Sequence, residues 1–181
     1  GVLVDWLYSF NNWMEQHGHF AVSGVTEYEL GKVYDLPKDE IKKLIRHFNE
    51  SAAICCIPPL RDSMKYVRKM HEELGYVFHC ITSLSLDRHA GILRKQNIEL
   101  LFGKTAFESY EFLDVGADKD KALSKYKDSG LLWIEDKPEN VNWGIDAGLD
   151  GVLLEHGHNM DYTGQSTVVK NWEEIYELIT K

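Results

Sequence analysis

Tyr76-Val77-Phe78-His79-Cys80-Ile81-Thr82-Ser83 is the stretch that decides the fold. Its first six residues form a continuous apolar run without the in–out alternation of a strand with one wet face. The run therefore reads as a strand covered on both sides. An amphipathic helix, Arg61 to Leu74, precedes it and is stopped by Gly75. A helix from Asp87 to Gln96 follows, and the rhythm continues to the end of the chain. Ser109 to Val115 is extended, Asp120 to Lys127 helical, Leu131 to Ile134 a strand, and Pro138 to Ala147 a helix closed by Gly148. Gly151 to Leu154 is a strand, and Trp172 to Ile179 the last helix. Apolar strands alternating with helices predict an α/β fold, a doubly wound, Rossmann-like parallel sheet.

The segment before Arg61 has a different pattern. Val2 to Val4 reads as the end of a buried strand. Asp5 to Gln16 carries Trp6, Leu7, Phe10, Trp13 and Met14 at helical spacing. Thr26-Glu27-Tyr28-Glu29 has capping-box form and predicts a short helix through Val33. Pro37 opens a helix over Lys38 to Phe48, with Ile41, Leu44, Ile45 and Phe48 on one stripe. Ile57-Pro58-Pro59-Leu60 is a stiff connection. The expected organisation is a small helical cap over residues 14–57, inserted into an α/β core formed by 1–13 and 58–181.

The chain has 181 residues and a net charge of -9, which argues against a protein that coats nucleic-acid polymers. A local basic pocket for one phosphate remains compatible with that charge. Cys55, Cys56 and Cys80 do not suggest a disulfide framework and read as reduced thiols of a cytoplasmic protein. No apolar run approaches the ~20 residues that span a bilayer, and no signal peptide is visible. A homodimer is left open.

In a parallel α/β sheet the ligand sits at the carboxyl ends of the strands. Those ends carry Asp5, Thr82-Ser83, Glu135-Asp136 and Glu155-His156. A Thr82 or Ser83 hydroxyl with nearby backbone N–H groups can hold a phosphate oxygen, and equally can start a turn. Adjacent carboxylates such as Glu135 and Asp136 repel each other, and a hard cation such as Mg²⁺ relieves that repulsion. They would also suit the start of the helix at Pro138. Lys119 and Lys121, at a short helix start, could balance a phosphoryl charge. Trp6, Phe10, Ser83 and Arg61 are candidates to lie beside a substrate. Alternatively Trp6, Phe10 and Trp13 form one packed stripe, and Arg61 a solvated helix start. His156 and His158 could share a metal, but Gly157 and Asn159 favour a mobile loop.

Gly1-Val2-Leu3-Val4-Asp5-Trp6 resembles the tail of the D-x-D-G-V-L-x-D-[FW] signature that opens haloacid-dehalogenase-type phosphatases. From Gly1 to about Leu154 the strand-end residues follow that family's order. Thr82-Ser83 resembles its hydroxyl motif, often T-S-P in the 5'(3')-deoxyribonucleotidase branch, with Leu84 here in place of the proline. Glu135-Asp136-Lys137-Pro138-Glu139-Asn140 resembles its acidic motif, which commonly begins D-D. The Glu at 135 makes Asp136 the favoured metal ligand. Lys119 and Lys121 both match the lysine motif, with Lys125 a weaker third.

The resemblance implies a Mg²⁺-dependent phosphomonoesterase acting on nucleoside monophosphates through an aspartyl-phosphate. Its nucleophile would lie just before Gly1. Thr82, Lys119 or Lys121, and Asp136 would be catalytic, and Asp136 and Glu135 would face the metal. Trp6, in the branch's base-stacking position, would bind substrate. The other readings are a 3'-phosphatase, a general small-molecule phosphatase, or a non-catalytic binding protein on the same scaffold.

Overall fold

A computed structural model describes residues 1–24 and 29–181. The chain is α/β, with two separate parallel sheets. Its elements are α1 (Trp6–Gln16), α2 (Leu30–Val33), α3 (Lys38–Glu50), a 3-10 turn (Ala52–Cys56), α4 (Ser63–Leu74), β1 (Phe78–Ser83), α5 (Arg88–Phe102) and β2 (Phe107–Leu113). After these come α6 (Asp120–Leu123), a 3-10 turn (Ser124–Tyr126), β3 (Leu132–Glu135), α7 (Pro138–Asp146), β4 (Asp150–Leu154), β5 (Thr167–Val169) and α8 (Trp172–Thr180). β1 pairs with β2, and β4 lies between β3 and β5.

Local chemistry sets most of the boundaries. Asp5 caps α1 by accepting the Tyr8 N–H at 3.2 Å. Asp87 caps α5 through the Ala90 N–H at 2.8 Å, and Asn171 caps α8 through that of Glu174 at 3.0 Å. Gly75 ends α4 at φ +73°, a left-handed geometry that glycine adopts without a Cβ clash. Gly144 lets α7 lie against β3, since a Cβ there would come within 2.3 Å of the Trp133 ring.

A large apolar cluster links Phe10 and Met14 of α1 and Phe48 of α3 to Cys80, Phe102, Leu154 and Trp172. Ile81 belongs to a second, smaller cluster with Ala122, Leu123 and Leu149. Consecutive residues Cys80 and Ile81 thus enter different clusters, as the two-residue period of a strand requires, and both faces of β1 are covered at its centre.

The structure revises several expected boundaries. β1 begins at Phe78, leaving Tyr76 and Val77 exposed, and runs through Ser83. α5 continues beyond Gln96 to Phe102, because Asn97, Ile98 and Phe102 extend its buried stripe. Val2–Val4 forms no strand; Val4 makes only an isolated antiparallel bridge to Pro59. β5 was not foreseen. The boundary at residue 14 falls inside α1, whose Phe10 and Met14 share one cluster with the rest of the fold. The Thr26-Glu27-Tyr28 part of the capping box lies outside the described residues. Among the described residues, no helix is long and apolar enough to cross a membrane.

Candidate active site

Among the described residues, β1 pairs only with β2, and β3 with β4. The other edges of β1 and β3 border a cavity of about 330 Å³. Gly1 to Val4, Phe78 to Ser83 and Leu132 to Asp136 line it, together with Trp6, Arg94 and Lys119. Thr82, Ser83, Glu135 and Asp136 all occupy the carboxyl ends of β1 and β3, where a parallel sheet presents its ligands.

Lys119, just before α6, places its ammonium on the Glu135 carboxylate and over the Trp133 ring. Glu135 is only 2% exposed. One of its oxygens also accepts from Asn140 Nδ2 at 3.0 Å, and the other from the Asp136 N–H at 3.0 Å. Both oxygens are therefore occupied within the protein. In this arrangement Glu135 is the buried counter-ion of Lys119. Lys121 is exposed and absent from the cavity lining, and Lys125 pairs with Glu111 at 2.6 Å. Of the three lysines, only Lys119 is brought to the strand ends.

Asp136 lines the cavity, with Oδ2 3.4 Å from the Gly1 nitrogen. A partly exposed carboxylate at a strand end fits one protein ligand of a Mg²⁺ ion that keeps water and substrate oxygens as its others. No group of three or more His, Cys, Asp or Glu side chains forms a metal cluster among the described residues.

Residues after β4 hold this corner together. Asn159 is buried and donates to the Asp136 carbonyl at 2.7 Å and the Leu154 carbonyl at 2.9 Å. It also accepts the His156 N–H at 2.8 Å. His158 Nε2 meets the Asp136 carbonyl at 3.1 Å, and His156 Nε2 the Gly1 carbonyl at 2.8 Å. The loop expected to be mobile is thus anchored to the end of β3. The two imidazoles use Nε2 on separate carbonyls instead of turning it to a common ion. Burial lowers the His156 pKa from its usual value, although Asp136 opposes this.

Trp6 belongs to both the cavity wall and the packed stripe. It lines the cavity, yet it also stacks on Phe10 at 4.7 Å and donates its indole N–H to Asn49 Oδ1 at 2.9 Å. Phe10 is fully buried and is absent from the cavity wall, so the helical stripe takes it into the core. Ser83 is exposed and donates to the Ala117 carbonyl at 3.2 Å. Arg61 is a brace outside the cavity: its guanidinium binds the Lys170 carbonyl and, at 2.7 Å, that of Glu155.

No family model matches the chain, and no curated protein sequence matches it.

Sequence reasoning missed Asn49, Asn140, Asn159 and Arg94. Asn140 had a signal, since it follows the acidic pair at the first turn of α7. Asn49, which bridges Trp6 and the Leu84 carbonyl at 2.8 Å, lies on the polar edge of α3 and carries none. Arg94 sits in the middle of α5, yet it is 4% exposed and borders the cavity. Its Nε has no partner, and burial draws its pKa down to about 10.

Proposed function

We propose that the chain is the scaffold of a Mg²⁺-dependent phosphomonoesterase of the haloacid-dehalogenase type, acting on nucleoside monophosphates. One observation carries the reading: Thr82, Lys119 and Asp136, far apart in sequence, line one cavity at the carboxyl ends of parallel strands. The cavity's position between the free edges of β1 and β3 supports the same reading. A strand entering at Gly1 would join the two sheets into one doubly wound sheet and would bring its carboxylates beside Asp136. The helical segment between α1 and Pro58 would then act as the cap over the site.

In this reading a carboxylate on that strand attacks phosphorus, forming an O–P bond as the bond to the leaving oxygen breaks. A second carboxyl gives the leaving oxygen its proton, and then takes one from the water that hydrolyses the acyl phosphate. Asp136 would hold the Mg²⁺, which stabilises charge on the phosphoryl oxygens. Thr82 donates to one of those oxygens. Lys119, fixed by Glu135, adds positive charge without having to reorganise. Trp6 offers an indole surface at the cavity for a nucleobase.

The test begins with the native N-terminus, read by intact mass and N-terminal sequencing. That protein is then assayed on a nucleotide panel with and without Mg²⁺. A D-x-D before Gly1 and Mg²⁺-dependent phosphate release, abolished in Asp136→Ala, are the expected results. A native start at Gly1 with no turnover would leave a binding protein on this scaffold. Preference for nucleic-acid 3' ends would reassign the substrate despite the acidic surface.

A further inference from the structure

Cys55 and Cys56 close the 3-10 turn that follows α3, and their sulfurs lie 3.3 Å apart. Cys56 is exposed and Cys55 half-buried, so the pair is open to solution. The backbone on either side is pinned. Ser51 caps the turn by accepting the Ala53 N–H at 3.3 Å, and its hydroxyl donates to the Phe48 carbonyl at 2.8 Å. Ile54 and Ile57 are buried, and Asn97 Nδ2 donates to the Ile57 carbonyl at 2.9 Å. The thiols are thus held side by side before anything binds, which reduces the entropy lost on engaging both.

The separation suits two sulfur bonds that meet at a small angle. A disulfide would need the sulfurs at ~2.05 Å, with Cα atoms usually ~4.4–6.8 Å apart; adjacent residues across a trans peptide have only ~3.8 Å, so the turn would have to be remade. Thiolate bonds to a soft centre are about 2.3 Å long. A tetrahedral centre would then spread the sulfurs to ~3.8 Å, and a linear one to ~4.6 Å. Bonds meeting near a right angle, as at a pyramidal trivalent centre, span ~3.3 Å. A tetrahedral ion would also need further ligands, and no cluster of three potential ligands exists among the described residues.

We propose that Cys55 and Cys56 form a bidentate site for a trivalent thiophilic centre of the arsenical class. With an organic arsine oxide, two As–S bonds form and the As–O bond breaks. The two thiol protons leave with that oxygen as one water, and arsenic remains trivalent. The site is independent of the phosphatase reading.

Phenylarsine oxide added to the reduced, full-length chain tests it by intact mass. The expected product is one adduct, of the reagent's mass less one water. It survives excess 2-mercaptoethanol and is removed by dithiothreitol. Cys55→Ser and Cys56→Ser each weaken retention by ~10²–10⁴-fold, the loss expected when an intramolecular second bond is removed. Cys80→Ala leaves it unchanged, because that thiol is buried, with its pKa pushed up to about 11 by the same burial. Full retention in either serine variant, release by the monothiol, or dependence on Cys80 would overturn the assignment. The monothiol competition uses the unaltered protein, so it decides the matter even if a variant folds poorly.

Discussion

Replacing Lys119 by methionine removes the ammonium that lies on Glu135 and over the Trp133 ring but keeps most of the aliphatic stem. It leaves the Glu135 carboxylate, 2% exposed, without its counter-ion. The lysine side chain is itself only 12% exposed, so the pair belongs with buried ion pairs and not with screened surface ones. Removing one partner of a buried pair costs about 3–5 kcal/mol. Glu135 keeps its bonds from Asn140 and the Asp136 N–H, both at 3.0 Å, which places the cost near the lower end, about 3 kcal/mol. With a urea slope of about 2 kcal/mol/M, the unfolding midpoint should fall by about 1.5 M. Adding Glu135→Gln to Lys119→Met removes the stranded charge while keeping an acceptor for Asn140. The double variant should recover more than half of the loss. A single-variant cost below about 1 kcal/mol, or a double variant no more stable than Lys119→Met, would refute the buried-pair reasoning.

Asn159→Ala should cost about 2–4 kcal/mol in urea unfolding, because it strips hydrogen bonds from the Asp136 and Leu154 carbonyls and from the His156 N–H. Arg94→Met should be neutral or stabilising by the same measurement, since it removes a buried cation whose nearest hydrogen bond is to Asn97 Oδ1 at 3.3 Å; a loss above about 2 kcal/mol would show that Arg94 has a partner of real strength. Arg46 hydrogen-bonds Asp114 and holds its carboxyl below the usual value of 3.8. Because the folded value is the lower one, the stabilisation is present above the unfolded pKa and is lost as pH falls through the folded one. In Arg46→Met the Asp114 carboxyl carbon, followed by NMR, should titrate at higher pH than in the unaltered protein.

Much of the fold was legible because the signals are local. Apolar runs, helical stripes and caps such as Asp5, Asp87 and Asn171 depend on residues a few positions apart, and nearly every expected helix and strand after Pro59 is present. The strand-end rule marked Thr82, Glu135 and Asp136 for the same reason. β5 escaped notice because three residues, Thr167 to Val169, carry too little pattern; pairing with β4 defines them.

The amino-acid sequence by itself determined the α/β alternation and which residues end the strands. Tertiary structure decided what those residues touch. It selected Lys119 over Lys121, gave Glu135 to Lys119 and Asn140, sent Phe10 inward while leaving Trp6 on the cavity, and anchored the His156–His158 loop beneath Asp136. Periodicity fixes the face of its own element on which a side chain lies. Which distant element comes opposite that face depends on how helices and strands pack together, and contacts across such separations leave no mark on local spacing.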